Sequence, residues 1–329
     1  MICGSWLCFF EVFGAEPWSV ILGGVKKHPP KTRQEIVTGF ERHMREVVGL
    51  APKTCQNHSR ELSRFLDALP VRKTSDLVTL TPPDLTSYLT GRSAHCQPSS
   101  LQQIAGSMRH FLRFAKQEGW ITDPLSLAVP KIACRVQKDL PVYLTEQQLE
   151  LLLASWDTNT TQGQRDLAIG LCLARLGLRA GEVAALMLED IDWRHGVLRL
   201  SKSKNGHPAQ LPLLAEVGQA IANYLRKGRP ACPCRQVFVF HQPLRPMNAQ
   251  AISQVIRRAL RACGIKVPRS GAHLLRHTLA SHLVQNGATL KEVADLLRHR
   301  HINSTAVYAQ VDIPQLRSVA QPWPKEAAL

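Results

Sequence analysis

Residues 273–310 read HLLRHTLASHLVQNGATLKEVADLLRHRHINSTAVYAQ, and their punctuation decides the architecture of the C-terminal half. Apolar residues recur at helical spacing from His273 to Val284, where Asn286-Gly287 closes the run. Thr289 with Glu292 then forms a capping box that opens a second helix through Leu297. Set into this apolar pattern are His273, Arg276, His277, His299 and Tyr308, each a cation or proton donor at an element boundary. Two stretches upstream share that character. ARLGLRAGEVAALMLEDID (174–192) places Arg179 after Gly177, at the mouth of a helix from Ala180 to Leu188. LRLSKSKNGHPAQLPL (198–213) carries Lys202 and Lys204 beside Asn205-Gly206, a strong hairpin signal between strands Val197–Leu200 and Gln210–Leu213. Singly, each is an ordinary Arg on a helix end, Lys on a turn or Tyr at a core margin.

The same domain includes helices at Leu144–Leu153, with Thr145 and Gln148 as a capping box, and at Asp166–Leu176, ended by Gly177. A short strand at Val237–Phe240 and a helical stripe of Ile252, Val255, Ile256 and Leu260 complete it. Before it, four apolar stripes make a compact bundle. They are Ile36, Phe40, Met44 and Val47; Leu62, Phe65, Leu66 and Leu69; Leu85 and Leu89; and Leu101, Ile104, Ala105, Met108 and Leu112. Gly49 and Pro52, Pro70, and Pro82-Pro83 separate them, Ser99 or Ser100 caps the fourth, and Gly119 closes it. The bundle's polar faces carry Lys31, Arg33, Arg42, Arg45, Lys53, Arg60, Arg64, Arg109, Arg113 and Lys116, which suit phosphates if they gather on one side. Expected boundaries are an N-terminal extension at 1–30, a helical domain at 31–122, a proline-punctuated basic linker at 123–141, a mixed domain at 142–322 and a tail at 323–329. The expected class is mainly α with a small β-sheet or hairpin.

Composition bounds the function. The 329 residues carry 41 Lys and Arg against 25 Asp and Glu, a net charge of +16, which points to a polyanionic partner, nucleic acid before a membrane surface. Nine cysteines, an odd number scattered along a chain too long to need staples, speak against a disulfide framework and for a reducing compartment. Cys232 and Cys234 form a C-x-C without the second pair that completes zinc sites, so no metal is expected. The apolar first 25 residues lack a basic start and are interrupted by Glu11 and Glu16, so neither a signal peptide nor a spanning helix is expected there. The segment is a buried arm or the product of a mis-assigned start codon.

Taken in order, the motifs G-L-R-x-x-E at Gly177–Glu182, a lysine hairpin ending in L-P-L, H-x-L-R-H-T at His273–Thr278, L-x-H at Leu297–His299 and Tyr308 resemble the active-site boxes of tyrosine recombinases. This is the family of phage integrases and bacterial chromosome-dimer resolvases. The resemblance covers about Leu144 to Ala320 and, more loosely, the preceding bundle, which looks like the family's SAM-like core-binding domain. It implies a catalytic set of Arg179, Lys204, His273, Arg276, His299 and the nucleophile Tyr308, with no cofactor. Two edges depart from the pattern. Arg298 stands where the family usually has Gly, which puts the turn at His299 in doubt, and Leu176 stands where Thr is common.

The chemistry explains the residue types. Attack on a phosphodiester adds negative charge to two non-bridging oxygens, so positioning and electrostatic stabilisation dominate. Arg179 and Arg276 match that need through planar forks. A covalent intermediate conserves the energy of the broken link. Of the four tyrosines, Tyr88, Tyr143, Tyr224 and Tyr308, only Tyr308 follows the His and Arg run. Its phenol, with a pKa near ~10, needs a proton acceptor, and His273 or His277 is placed to act. The family assigns that duty to His273, a hydrogen bond to a non-bridging oxygen to His299, and the proton for the leaving 5′ oxygen to a hairpin lysine. Lys204, directly before Asn205-Gly206, is preferred to Lys202. Glu182 orients a neighbouring cation or backbone, or is an exposed helix carboxylate.

The expected function is a site-specific DNA recombinase working through a 3′-phosphotyrosyl bond, for integration, excision or transposition of a mobile element. The expected partners are double-stranded DNA, a homo-tetramer on two DNA sites, and accessory recombinases or DNA-bending proteins, in the cytoplasm at the bacterial nucleoid and without a membrane. The alternatives are a catalytically inactive site-specific DNA-binding protein and a type IB topoisomerase-like relaxing enzyme.

Overall fold

The computed structural model describes residues 31–133, 140–200, 208–299 and 301–311. The chain divides into two compact units, Met1–Val136 and Gln137–Leu329. In the first unit, helix α1 (Arg33–Glu46) starts at Thr32, whose hydroxyl caps the Glu35 amide while the Glu35 carboxylate returns to the Thr32 amide. Helices α2 (Pro52–Asp67), α3 (Pro82–Ser93) and α4 (Pro98–Gln117) follow. Their stripes meet in one core, where the Phe40 ring sits edge-on to Phe111 at 5.8 Å and Tyr88 edge-on to Phe65. Two expectations change. Val47, assigned to the first stripe, is exposed because α1 stops at Glu46 and Gly49 turns the chain in the left-handed region. Helix α4 takes its start from Pro98 at the first position and not from a serine cap, since a proline there loses no hydrogen bond.

The basic residues of this bundle are partly engaged with one another's counter-ions. Arg33 pairs with Asp67, Arg64 with Glu61, and Lys31 reaches both Glu118 and the face of Trp120. Arg109 donates to the carbonyls of Val129 and Pro130. Arg60, Arg64 and Arg92 share one groove of about 540 Å³ with His58 and His110.

The second unit is built around helix α6 (Thr161–Arg175), capped by Thr160 and preceded by α5 (Glu146–Ala154), which the Thr145–Gln148 box opens. A short helix α7 (Ala180–Ala185) leads into a three-stranded antiparallel sheet in the order β1 (Ile191–Asp192), β2 (Val197–Leu200), β3 (Ala209–Pro212). The expected hairpin is therefore present, with Leu200 opposite Ala209, while Lys202, Lys204 and Asn205-Gly206 lie outside the described residues. Helix α8 (Ala215–Asn223), the pair β4 (Val239–Phe240) and β5 (Arg245–Pro246), and helix α9 (Ala249–Ala262) follow. Helix α10 (Ala272–Gln285) packs between α6 and α9. Its Thr278 hydroxyl receives the Leu144 amide at 3.0 Å and its His282 ring meets the Leu144 carbonyl at 2.8 Å, pinning the start of the unit to its middle. Helix α11 (Leu290–Leu296), again capped by a Thr-Glu box at Thr289, and two short 3₁₀ turns at Ile302–Ser304 and Ala306–Val311 close the described chain. Among the described residues the fold is mostly helical with two small antiparallel sheets, and Ala280, Val284, Val293, Leu297 and Tyr308 form a small core of their own.

Candidate active site

The site is assembled by one buried cation. Arg276 projects from α10 and is 1% exposed. Its two terminal nitrogens donate to the carbonyls of Gly177 and Leu297, which lie in two separate motif stretches. A guanidinium has five N–H donors, so two carbonyls do not exhaust it. Burial, with Arg179 and Arg298 nearby, pulls its pKa down to about 9, still well above neutrality.

Each carbonyl that Arg276 holds sits at a turn that aims a further group. Gly177 ends α6 with φ +58°, and a Cβ there would lie 2.9 Å from Leu297 Cδ2, so glycine is required both by conformation and by close approach. Two residues later Arg179 caps α7. Its amide and guanidinium both donate to Glu182, at 2.9 and 2.8 Å. Glu182 is 4% exposed, which removes the exposed-carboxylate alternative. Burial by itself would raise its pKa, but the Arg179 amide, the charge of Arg298 and the Arg179 side chain outweigh burial and hold it below the usual carboxylate range.

Leu297 ends α11 in a Schellman motif: the Arg298 amide donates to Asp295 and the His299 amide to Ala294. Arg298 occupies the left-handed position at φ 54° that glycine normally takes, so the turn at His299 forms despite the substitution. The His299 ring nitrogen Nδ1 is 2.7 Å from the Thr305 hydroxyl, and the Thr305 carbonyl accepts the Tyr308 amide at 2.9 Å. Thr305, itself fully buried, thus ties the second histidine to the tyrosine. Burial first, then the charges of Arg276 and Arg179, pull the His299 pKa down to about 4. The ring is neutral at pH 7, and when the hydroxyl donates to Nδ1 the proton sits on Nε2, ready to donate.

Tyr308 is 2% exposed, and its phenol oxygen shares a 2.7 Å hydrogen bond with His277 Nδ1. Burial pushes the phenol pKa up to about 12, partly countered by Arg276. Burial and then the neighbouring His273 and Arg276 charges lower that of His277 to about 4. The rings of His273 and His277 meet edge to face at 4.4 Å. The structure therefore gathers Arg179, His273, Arg276, His299 and Tyr308 into one neighbourhood, and Lys204 lies outside the described residues. His277, weighed with His273 as proton acceptor, is in direct contact with the phenol. Thr305 and the Arg298–Glu182 contact had no sequence signal, because the first hydroxyl is one of many and the second pair is separated by 116 positions. Among the described residues no group of three metal-ligating side chains is gathered, and no helix is long and apolar enough to cross a membrane.

Comparison with known proteins shows the family and the fold. Residues 142–313 match the model of the phage integrase family, and residues 37–119 match that of the phage integrase N-terminal SAM-like domain. The Sinorhizobium fredii protein y4rA, which carries an integrase/recombinase name, is 37% identical over 302 residues, 91% of this chain and 73% of its own length. The tyrosine recombinase XerD of Ralstonia nicotianae is 31% identical over 289 residues, 84% of this chain and 90% of its own length. Among solved structures, a lambda integrase dimer bound to a COC′ core site superposes with a TM-score of 0.65 at 18% identity, covering 96% of this chain and 86% of that one. XerH bound to palindromic difH in a post-cleavage complex gives 0.66 at 17%, covering 88% and 85%. At such identities the structural likeness concerns the fold.

Proposed function

The chain belongs to the phage integrase family and is a tyrosine-type site-specific DNA recombinase, and from that premise we propose that Tyr308 is its nucleophile, working with Arg179, Lys204, His273, Arg276 and His299. The Tyr308 oxygen attacks a backbone phosphorus, a new P–O bond forms to the 3′ side, and the P–O bond to the 5′ oxygen breaks. The phenolic proton passes to the histidine pair on α10, and the leaving 5′ oxygen takes a proton from Lys204. Arg179, Arg276 and the Nε2 of His299 stabilise the charge that builds on the non-bridging oxygens. A partner strand's 5′ hydroxyl reverses the attack and rejoins the DNA.

The observation that carries this reading is the 2.7 Å contact of Tyr308 with His277, on the helix that also presents Arg276. Burial raises the phenol pKa and lowers that of His277, so transfer of the proton ahead of attack is disfavoured, and in this reading proton removal accompanies P–O bond formation.

The substrate in this reading is double-stranded DNA, met by the basic faces of the helical unit, and the job is integration or excision of a mobile element by a homo-tetramer on two sites. Accessory recombinases or DNA-bending proteins set direction, and the work takes place at the cytoplasmic nucleoid. Wild type and Tyr308→Phe are incubated with DNA spanning the gene's own flanks, and a denaturant-resistant protein–DNA adduct is sought. An adduct in wild type alone is expected. Binding by both without an adduct would favour an inactive DNA-binding protein, and relaxation of supercoiled DNA lacking a paired site would favour the topoisomerase reading.

A further inference from the structure

Arg298 is the only non-glycine residue at positive φ among the described residues. An L residue in that conformation costs about 1–2 kcal/mol that glycine would avoid. Strain of this kind persists where the surroundings over-determine it. Here they do: Arg298 Nη2 lies 2.8 Å from Glu182 Oε2, the same oxygen that accepts the Arg179 amide, while Arg179 Nη1 takes Oε1. Nη1 of Arg298 reaches the Leu296 carbonyl, and its Nε is buried without a partner. One buried carboxylate thus serves two guanidiniums on elements 116 positions apart.

The charge count gives this contact a consequence. Without Arg298, Glu182 would cancel Arg179 and leave Arg276 as the one uncompensated guanidinium. With it, the three guanidiniums and one carboxylate carry two net positive charges, and the buried His277 and His299 rings add none at pH 7. A phosphodiester carries one negative charge and gains a second as the phenol oxygen adds before the leaving oxygen departs. We propose that Arg298 is a positioning residue of the phosphate pocket: by sharing Glu182 with Arg179 it leaves the Arg179 charge, beside that of Arg276, uncancelled for the doubly negative transition state. This rests on the recombinase reading of the site given above.

Glycine relaxes the left-handed position, which offsets part of the stability lost with the buried Arg298–Glu182 pair, while Glu182 keeps the Arg179 amide and guanidinium as partners. The test compares wild type, Arg298→Gly, Arg298→Lys, Glu182→Gln and the Arg298→Gly/Glu182→Gln pair for thermal unfolding, DNA affinity and the rate of Tyr308 adduct formation. Rates are measured on the mapped site with either a normal phosphodiester or an uncharged methylphosphonate at the cleaved link. Arg298→Gly is expected to stay folded with a lowered unfolding midpoint and to form the adduct about tenfold more slowly on the phosphodiester, with a much smaller loss on the uncharged link. Arg298→Lys should recover most of the rate, and Arg298→Gly should add little once Glu182→Gln is present. An Arg298→Gly rate equal to wild type, an equal loss on both links, or full additivity with Glu182→Gln would overturn the inference while the wild-type adduct leaves the recombinase reading standing. A wild type with no adduct on any flank would overturn both.

Discussion

Arg276 has two carbonyls and almost no water around it, and removing it leaves both acceptors buried and unsatisfied. Arg276→Ala should lower stability by about 1–3 kcal/mol per orphaned group and slow adduct formation roughly 100- to 1000-fold. Arg276→Lys cannot span both carbonyls and should recover little, as chemical denaturation and adduct kinetics will show. Protonation sets a second expectation at this scale. His277 and His299 have folded pKa values near 4 against 6.5 for a free ring, so the unfolded chain binds more protons in that interval. Their contribution to stability is present above pH 6.5 and lost as the pH falls toward 4. Tyr308, raised from 10.0 to about 12, acts at the other end: its contribution holds below 10.0 and disappears as the pH rises through 12. The denaturation midpoint should fall on both sides, and Tyr308→Phe should flatten only the alkaline fall. Thr305→Val should slow cleavage on the order of tenfold by releasing the His299 ring, with Thr305→Ser close to wild type.

At the scale of elements, three helix ends carry the site: the C-terminus of α6, the N-terminus of α7 and the C-terminus of α11. Gly177 is the joint among them. Gly177→Ala would strain a left-handed residue and drive its Cβ toward Leu297 and Leu279, so a loss of about 1–3 kcal/mol in a urea titration is expected. The cap at Thr289 is a smaller lever. Thr289→Ala breaks the box with Glu292 and should cost about 1 kcal/mol, loosening α11 and the Schellman turn that follows it. The helices and their caps were largely legible, since Thr145 and Thr289 stand where a hydroxyl and a Glu or Gln three residues on mark a start. Their ends were less so. The helix expected to reach Leu188 stops at Ala185, because the Leu188 amide donates instead to the Arg235 carbonyl and the Leu186 carbonyl accepts the Val237 amide, both from a distant segment.

At the scale of the molecule, the net charge of +16 sets the binding regime. If Lys and Arg of both units meet phosphates, counterion release should make log affinity for DNA fall steeply and linearly with log salt, with a slope of about −0.9 per phosphate neutralised. A filter-binding or fluorescence titration between low and moderate salt checks it, and a flat response would remove the basic faces as the DNA contact. Several of these side chains already hold counter-ions, Arg33 with Asp67 and Arg64 with Glu61 among them, so the slope counts fewer contacts than the sequence has cations.

By itself the sequence determined the family. The order of Gly177-Leu178-Arg179, the lysine hairpin, His273-x-x-Arg276, His299 and Tyr308 resembles the boxes of tyrosine recombinases, and the proposed phosphoryl transfer rests on those functional groups. Local periodicity and capping likewise specified most helices, since both depend on neighbours a few residues away. Only the tertiary structure decided that His277 meets the phenol, that Glu182 is buried between Arg179 and Arg298, and that Arg276 joins two turns through their carbonyls. Those contacts link residues 21 to 116 positions apart. They arise from packing geometry, which the local pattern of a chain does not encode.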